Sequence, residues 1–287
     1  MKRSPLMSPI FGAGLAAFLL ASTVAPSLEA QTVAPLVVPA SNTHHVGKFV
    51  WFDLVTSDVE AAASFYSQVL GWQLERVWGI SDYISLTANG RRIGGITPAE
   101  NPGEVGWIGS LSVENVDKAA EWVEQNGGRV LQAPVDLPNR GRVAVLADPQ
   151  GAVFAALRSQ SGDPPDATAR PGDWAWVELW TTDLEGARGF YRRLVGYQYA
   201  AVHGGSYHIF GRQDVPRAGV VEIPWKGVEP NWLPYVLVRN LAVILRRVKA
   251  GGGNVLQEPR DDFGDGNMAL IVDPTGGVLG VWEGGSK

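Results

Sequence analysis

The stretch FVWFDLVTSDVEAAASFYSQVLGW fills residues 49–72, and WAWVELWTTDLEGARGFYRRLVGY fills residues 174–197. In the first, Phe49 to Thr56 alternates as a strand does. Asp58 then stands where a side-chain oxygen can cap a helix, and Val59, Ala62, Tyr66, Val69 and Leu70 fall on one helical face. Gly71 supplies the left-handed residue that ends such a helix. The second stretch keeps Trp176 for Trp51, Leu179 for Leu54, Asp183 for Asp58, Phe190-Tyr191 for Phe65-Tyr66 and Gly196 for Gly71.

Read outward, the same offset of about 125 residues carries Trp107 onto Trp232, Asn115 onto Asn240, Gly128 onto Gly253, Pro134 onto Pro259 and Asp148-Pro149 onto Asp273-Pro274. The register reads as continuous, so the chain is a tandem duplication. A weaker offset of about 57 residues inside each copy pairs Asp58, Val59, Ala62 and Gly71 with Asn115, Val116, Ala119 and Gly128. Each copy is therefore two modules of order β, α, β, β, β. In the first module strands are expected near 72–78, 82–87 and 92–97 around the hairpin dipeptide Asn89-Gly90. The second module should have a strand at 107–113, a helix at 116–126 and strands near 129–133, 142–147 and 152–157. Its last hairpin turns on Asp148-Pro149-Gln150-Gly151, which is turn chemistry rather than a catalytic motif.

These signals divide the chain into a leader at 1–30, an arm at 31–46, a first domain at 47–158, a linker at 159–171 and a second domain at 172–284. The leader has Lys2 and Arg3, an apolar run from Ile10 to about Val24, and Leu28-Glu29-Ala30 as a cleavage site. It reads as a secretory signal, because the run is shorter than the roughly 20 residues of a spanning helix. The expected location is the periplasm or the medium, with no membrane attachment after cleavage. There is no cysteine in the 287 residues, so no disulfide braces the exported chain. The formal charge is −5 and no Lys/Arg cluster stands out, which argues against nucleic acid as a partner.

The strand followed by Thr56-Ser57-Asp58-Val59, the run from Phe65-Tyr66 to Gly71-Trp72, and the closing Asp148-Pro149-Gln150-Gly151 resemble the vicinal oxygen chelate superfamily, which includes glyoxalases, bleomycin-resistance proteins and extradiol dioxygenases. The resemblance is closest to the tandem two-domain branch related to lactoylglutathione lyase. It implies an α+β fold: two tandem domains, each a pair of βαβββ modules forming a curved incomplete barrel around a cleft. Enzymes of that superfamily hold a divalent metal in the cleft with His, Gln and Glu. Carried over position by position, those ligands would fall on Trp51, Ile108 and Ala155, and in the second copy on Trp176, Leu233 and Gly280. None of these side chains ligates a metal, so no cofactor is expected. Of the four histidines, His44 and His45 lie in the arm, and His203 and His208 lie in the second domain. A divalent metal remains possible through oxygen donors, since Asp136, Asp261, Asp262 and Asp265 crowd the loops before the penultimate strands, where they read equally as solvated charge.

If residue 51 faces the cleft, a period of two brings Asp53 and Val55 to the same face, and Trp176, Glu178 and Trp180 in the second copy. A carboxylate on a covered sheet must be paired or be kept for a ligand. Asp53 and Glu178 are therefore the candidate acid–base groups, with a structural hydrogen bond as the competing role. Trp51, Trp176 and Trp180 are candidate ligand-binding aromatics. Tyr83 and His208, which match at the duplication offset, and Arg142, on the expected cleft rim, complete the binding set. Together these features describe a metal-independent binder of a small organic molecule, similar in kind to bleomycin-resistance proteins. A lyase, isomerase or dioxygenase using an Asp/Glu base or an unusual metal site is the alternative. The two domains can pair within one chain, which would then act as a monomer.

Overall fold

The computed structural model describes residues 33–77, 82–101, 103–202 and 207–284. The leader, Trp78 and His203 lie outside these residues. Each copy folds into one eight-stranded sheet. The first contains β1 (Phe49–Thr56), α1 (Val59–Leu70), β2 (Gln73–Arg76), β3 (Ile84–Ala88), β4 (Arg91–Pro98), β5 (Gly106–Ser112), α2 (Val116–Gln125), β6 (Arg129–Leu137), β7 (Gly141–Ala147) and β8 (Val153–Ser159). The second repeats the order as β9 (Trp174–Thr181), α3 (Leu184–Val195), β10 (Gln198–Val202), β11 (Tyr207–Arg212), β12 (Val215–Glu222), β13 (Asn231–Val238), α4 (Leu241–Ala250), β14 (Asn254–Gln257), β15 (Met268–Val272) and β16 (Val278–Glu283). Strand order is β2-β3-β4-β1-β5-β8-β7-β6 in one sheet and β10-β11-β12-β9-β13-β16-β15-β14 in the other. The two modules of a copy thus join through their first strands, β1 with β5 and β9 with β13, both antiparallel. Neither sheet closes into a barrel.

Local chemistry explains the regularity. Asp58, Asn115, Asp183 and Asn240 each accept a backbone N–H three residues on, so all four helices start on the same kind of cap. Gly71 and Gly196, at φ of 74° and 73°, end the first helix of each copy in the left-handed region. Asp148 accepts the N–H groups of Gln150, Gly151 and Ala152 at 2.9–3.0 Å, which makes its motif the turn expected from sequence.

The duplication is also the packing rule. One face of each sheet and all four helices merge into a single core, in which Phe49 meets Trp232 and Phe52 meets Trp174, each at 4.6 Å between ring centroids. Polar contacts cross the junction in symmetric pairs. Trp72 Nε1 donates to the Gly172 carbonyl at 2.8 Å, and the Tyr197 hydroxyl donates to the Gly47 carbonyl. The Tyr191 hydroxyl donates to Asp148 at 3.1 Å and accepts from Trp232 Nε1 at 2.9 Å. Tyr66 answers from the other side, accepting from Trp107 Nε1 at 3.1 Å and facing Asp273. Burial, and then the facing carboxylate, push both tyrosine hydroxyls well above the ordinary phenol range, so they stay protonated donors.

The copies are not in continuous register, contrary to the reading from sequence. Asp53 pairs with Gly95 on β4, and Glu178 pairs with Gly219 on β12. From there through the neighbouring strand the offset falls by one, and it returns at β5, where Trp51 pairs with Ser110 as Trp176 pairs with Tyr235. A one-residue slip in a strand moves every side chain to the opposite face.

Candidate functional site

The faces turned away from the shared core form two clefts. A bulge in β1 at Val50 and another in β9 at Ala175 let residues 49 and 174 enter the core while residues 51 and 176 face the clefts. The expected alternation holds from there. Trp51 and Val55 belong to the apolar lining of the first cleft, with Asp53 between them, and Trp176 and Trp180 flank Glu178 in the second.

In the first cleft Asp53 Oδ1 accepts two hydrogen bonds, from Trp51 Nε1 at 2.9 Å and from the Tyr83 hydroxyl at 2.8 Å. Among the described residues its second oxygen has no hydrogen-bond partner. Burial raises the Asp53 carboxyl above its ordinary value, while Arg140 and the two donors pull it back part of the way. Burial and the Asp53 charge push Tyr83 well above the phenol range, so it is a donor. Gly95 is what permits this approach, because a Cβ there would lie 2.0 Å from the Tyr83 hydroxyl and 2.7 Å from Asp53 Oδ1. Arg140 completes the group with its guanidinium carbon 3.9 Å from the Trp51 ring centroid.

Arg140 was not foreseen, and the candidate Arg142 is corrected. The segment Leu137-Pro138-Asn139-Arg140 is a turn closed by Arg140 N donating to the Leu137 carbonyl at 3.0 Å, with Asn139 at φ of 65°. Proline at the second turn position and a left-handed asparagine at the third are the chemistry of a type II turn. That turn aims Arg140 into the cleft. Arg142 lies instead on β7, where its guanidinium bonds Asp117 of α2 at 2.6 and 2.7 Å and reaches Asp136 at 3.1 Å. It belongs to the helix-bearing side of the sheet.

The second cleft satisfies itself. Glu178 Oε1 accepts from the Tyr207 hydroxyl at 2.7 Å, and Oε2 accepts from Tyr235 at 2.7 Å and Trp180 Nε1 at 3.2 Å. Trp176 Nε1 donates to the Tyr207 hydroxyl at 2.7 Å. His208 is therefore corrected as well: the slip in register makes Tyr207 the partner of Tyr83, and His208 turns to the other face, where its ring stacks on Tyr199. The two clefts also carry side chains of different size at a matched position. Tyr235 stands where the first copy has Ser110, and its ring leaves no room for a Cβ on Gly280, which would come within 2.2 Å.

The first cleft is covered by the arm. Val33 and Leu36 are buried against it, leaving a residual cavity of about 30 Å³ that touches Trp51, Asp53, Tyr83, Ser110 and Arg140. Backbone bonds pin the arm to the segment after β8, from Val37 N to Ser161 Oγ at 3.1 Å and from Ser41 N to the Ser161 carbonyl at 2.9 Å.

The donor set of either cleft does not fit a divalent metal. The family ligand positions hold Trp51, Ile108 and Ala155 in one copy and Trp176, Leu233 and Gly280 in the other. Each cleft has, among the described residues, one carboxylate and no imidazole facing it. Among the described residues no three His, Asp or Glu side chains converge. Of the loop aspartates, Asp136 is engaged by Arg142 and Asp262 by Arg260.

Comparison with known proteins follows the fold. The glyoxalase/bleomycin resistance protein/dioxygenase superfamily profile matches residues 44–155. The anthracycline biosynthesis protein DauV of Streptomyces sp. strain C5 is 33% identical over 257 residues, covering 83% of this chain and 93% of its own. The putative glyoxylase CFP32 of Mycobacterium bovis is 28% identical over 254 residues, covering 85% of this chain and 97% of its own. Among solved structures, the Mn(II)-bound glyoxalase of Novosphingobium aromaticivorans superposes with a TM-score of 0.59 at 18% identity, covering 83% of this chain and 82% of that one.

Proposed function

Because this chain belongs to the glyoxalase/bleomycin resistance protein/dioxygenase superfamily, we propose that it is an exported protein whose first cleft binds a small organic molecule without a metal ion. The observation that carries this reading is the contrast between the clefts. Asp53 keeps one carboxylate oxygen unpaired beside a buried guanidinium, whereas both oxygens of Glu178 are occupied by the protein's own donors. A cleft whose polar groups are already paired gains little from a ligand, and one with unpaired polar groups gains hydrogen bonds. Export rests on the Lys2-Arg3 and Ile10–Val24 pattern, and the close intrachain packing of the copies suits a chain that works alone.

The ligand class to test first comes from the relatives named for anthracycline biosynthesis. Trp51 is 2% exposed and carries Arg140 on its ring, so it acts as a wall and a hydrogen-bond donor rather than as an open stacking platform. Titration of the full chain with an anthracycline, followed by tryptophan fluorescence, should give quenching that is lost in Trp51→Phe and retained in Trp176→Phe. Equal quenching in both variants contradicts the assignment to the first cleft. One tightly bound divalent metal ion per chain, resistant to chelator, contradicts metal independence.

A second reading is proton abstraction by Asp53 in an isomerase or lyase reaction, favoured by the burial that raises its carboxyl toward the range of a working base. In that case Asp53→Asn abolishes turnover and leaves ligand affinity within a few-fold of wild type.

A further inference from the structure

Arg140 is 5% exposed, and among the described residues its guanidinium has no hydrogen-bond acceptor and no ion pair within 4 Å. Its Nε is fully buried without an acceptor. The guanidinium offers five N–H donors and never loses its charge. It lies over the π-face of Trp51, which attracts the cation but accepts no strong hydrogen bond, and the Asp53 carboxylate in the same cleft supplies a countercharge without hydrogen-bonding it. Buried cations in folded proteins are otherwise paired, because an unpaired one forfeits its hydration. The donor therefore points into the first cleft with its acceptor still to come.

We propose that the first cleft is an organic-anion site, in which Arg140 takes a carboxylate or phenolate oxygen of the ligand. The inference rests on the cleft-binding reading above and adds the charge of the ligand to it. Ser110 opens the space for that oxygen, and the cavity touches both side chains. Asp53, whose second oxygen is unpaired, sets the other requirement: a hydrogen-bond donor must come with the anion, because an anion alone beside Asp53 would be repelled. Among the described residues the second cleft has no such site. At the register position of Arg140 it carries Asp265, and Phe263 from the same loop packs into the cleft's apolar lining.

The test uses the full chain with three probes of similar size: salicylate, which joins a carboxylate to a hydroxyl, salicylamide, its neutral counterpart, and 2-hydroxybenzylamine, its cationic one. Affinities are read by calorimetry and by ligand-observed NMR. Salicylate should bind wild type about 10-fold more tightly than salicylamide, the size of one charge-assisted hydrogen bond, and more tightly still than the amine. Arg140→Gln should erase that preference while leaving salicylamide affinity within two-fold, and Arg140→Lys should keep part of it. Arg140→Met provides the readout that separates binding from structure. Read in the Asp53→Asn background, where Arg140 has no countercharge to lose, this variant should melt no lower than its parent, and a lower melting point would assign Arg140 to the fold and overturn the proposal. Equal binding of the three probes to wild type, or a preference that survives Arg140→Gln, overturns the anion assignment and leaves the cleft reading standing. Failure of all three to bind folded wild type overturns both.

Discussion

The Tyr191 hydroxyl of the second copy closes on the Asp148 carboxylate of the first at 3.1 Å, across the plane where the copies meet. The same hydroxyl accepts from Trp232 Nε1, so one oxygen joins α3, β13 and the closing turn of the other copy. Tyr191→Phe leaves a buried carboxylate oxygen and a buried indole N–H unpaired. The expected cost is about 1–3 kcal/mol of unfolding free energy, measured by urea denaturation of the purified chain. Tyr66→Phe, the equivalent change on the opposite side, should cost a similar amount. A loss below about 0.5 kcal/mol in both would show that these junction bonds are replaceable by water.

Gly95 and Gly219 hold the tyrosines over the cleft carboxylates. A Cβ at 219 would stand 1.9 Å from the Tyr207 hydroxyl and 2.9 Å from Trp176 Nε1. Gly219→Ala should therefore displace Tyr207 and cost about 1–3 kcal/mol, as overpacked sites do. Gly95→Ala should do the same to Tyr83. The displaced Tyr83 frees Asp53, and the near-ultraviolet circular dichroism of the cleft aromatics should change with it.

The arm is the cover of the first cleft, and Leu36 joins the cleft's apolar cluster. Leu36→Asp places a charge on an apolar lining and should release the arm. Acrylamide then reaches Trp51, and quenching of tryptophan fluorescence increases by an amount that disappears in the Leu36→Asp, Trp51→Phe double variant. Ligand affinity should rise in the released chain, because the ligand no longer competes with Val33 and Leu36 for the same surface.

Asp53 gives a pH signature. Its carboxyl is raised above 3.8 by burial, so the folded chain holds this proton more tightly than the unfolded chain. Stability then falls as pH rises from about 3.8 through the folded value, and the full cost is present at neutral pH. Asp53→Asn removes that cost. The variant should melt above wild type at pH 7, and the difference should shrink to nothing below pH 3.8. A constant difference across that range would mean that the carboxylate is already fully solvated.

Which parts of this were legible in the sequence follows from the length scale of each signal. The duplication, the helix caps, the bulk of each strand and the face shared by Trp51, Asp53 and Val55 rest on local periodicity, and they appear in the structure as read. The pairing of Tyr83 with His208 failed because the offset changes by one residue before β11, and a period-two element converts that small slip into a change of face. Arg142 reads as the rim cation from its place after the loop, and Arg140, inside the turn, goes unconsidered. The Pro138-Asn139 dipeptide carried the information needed, since a type II turn ends on the residue after it. Ser110 against Tyr235 is a difference in volume at matched positions, and its meaning depends on the opposing strand, which no local pattern supplies. The charge on the ligand was equally hidden, because it depends on which buried donor lacks an acceptor.

The reciprocal bonds from Trp72 to the Gly172 carbonyl and from Tyr197 to the Gly47 carbonyl make each copy the mould in which the other's first strand sets. Neither half has a finished interior of its own, since the shared core takes one face from each sheet. The molecule is in effect a fused dimer whose linker also braces the junction, since Asp166 pairs with Lys48 of one copy and Arg217 of the other. Severed between residues 164 and 169, the halves should remain mated and should reassemble by complementation. Fusion is also what freed the two pockets to diverge: a symmetric pair of identical subunits cannot place Tyr235 in one pocket and Ser110 in the other.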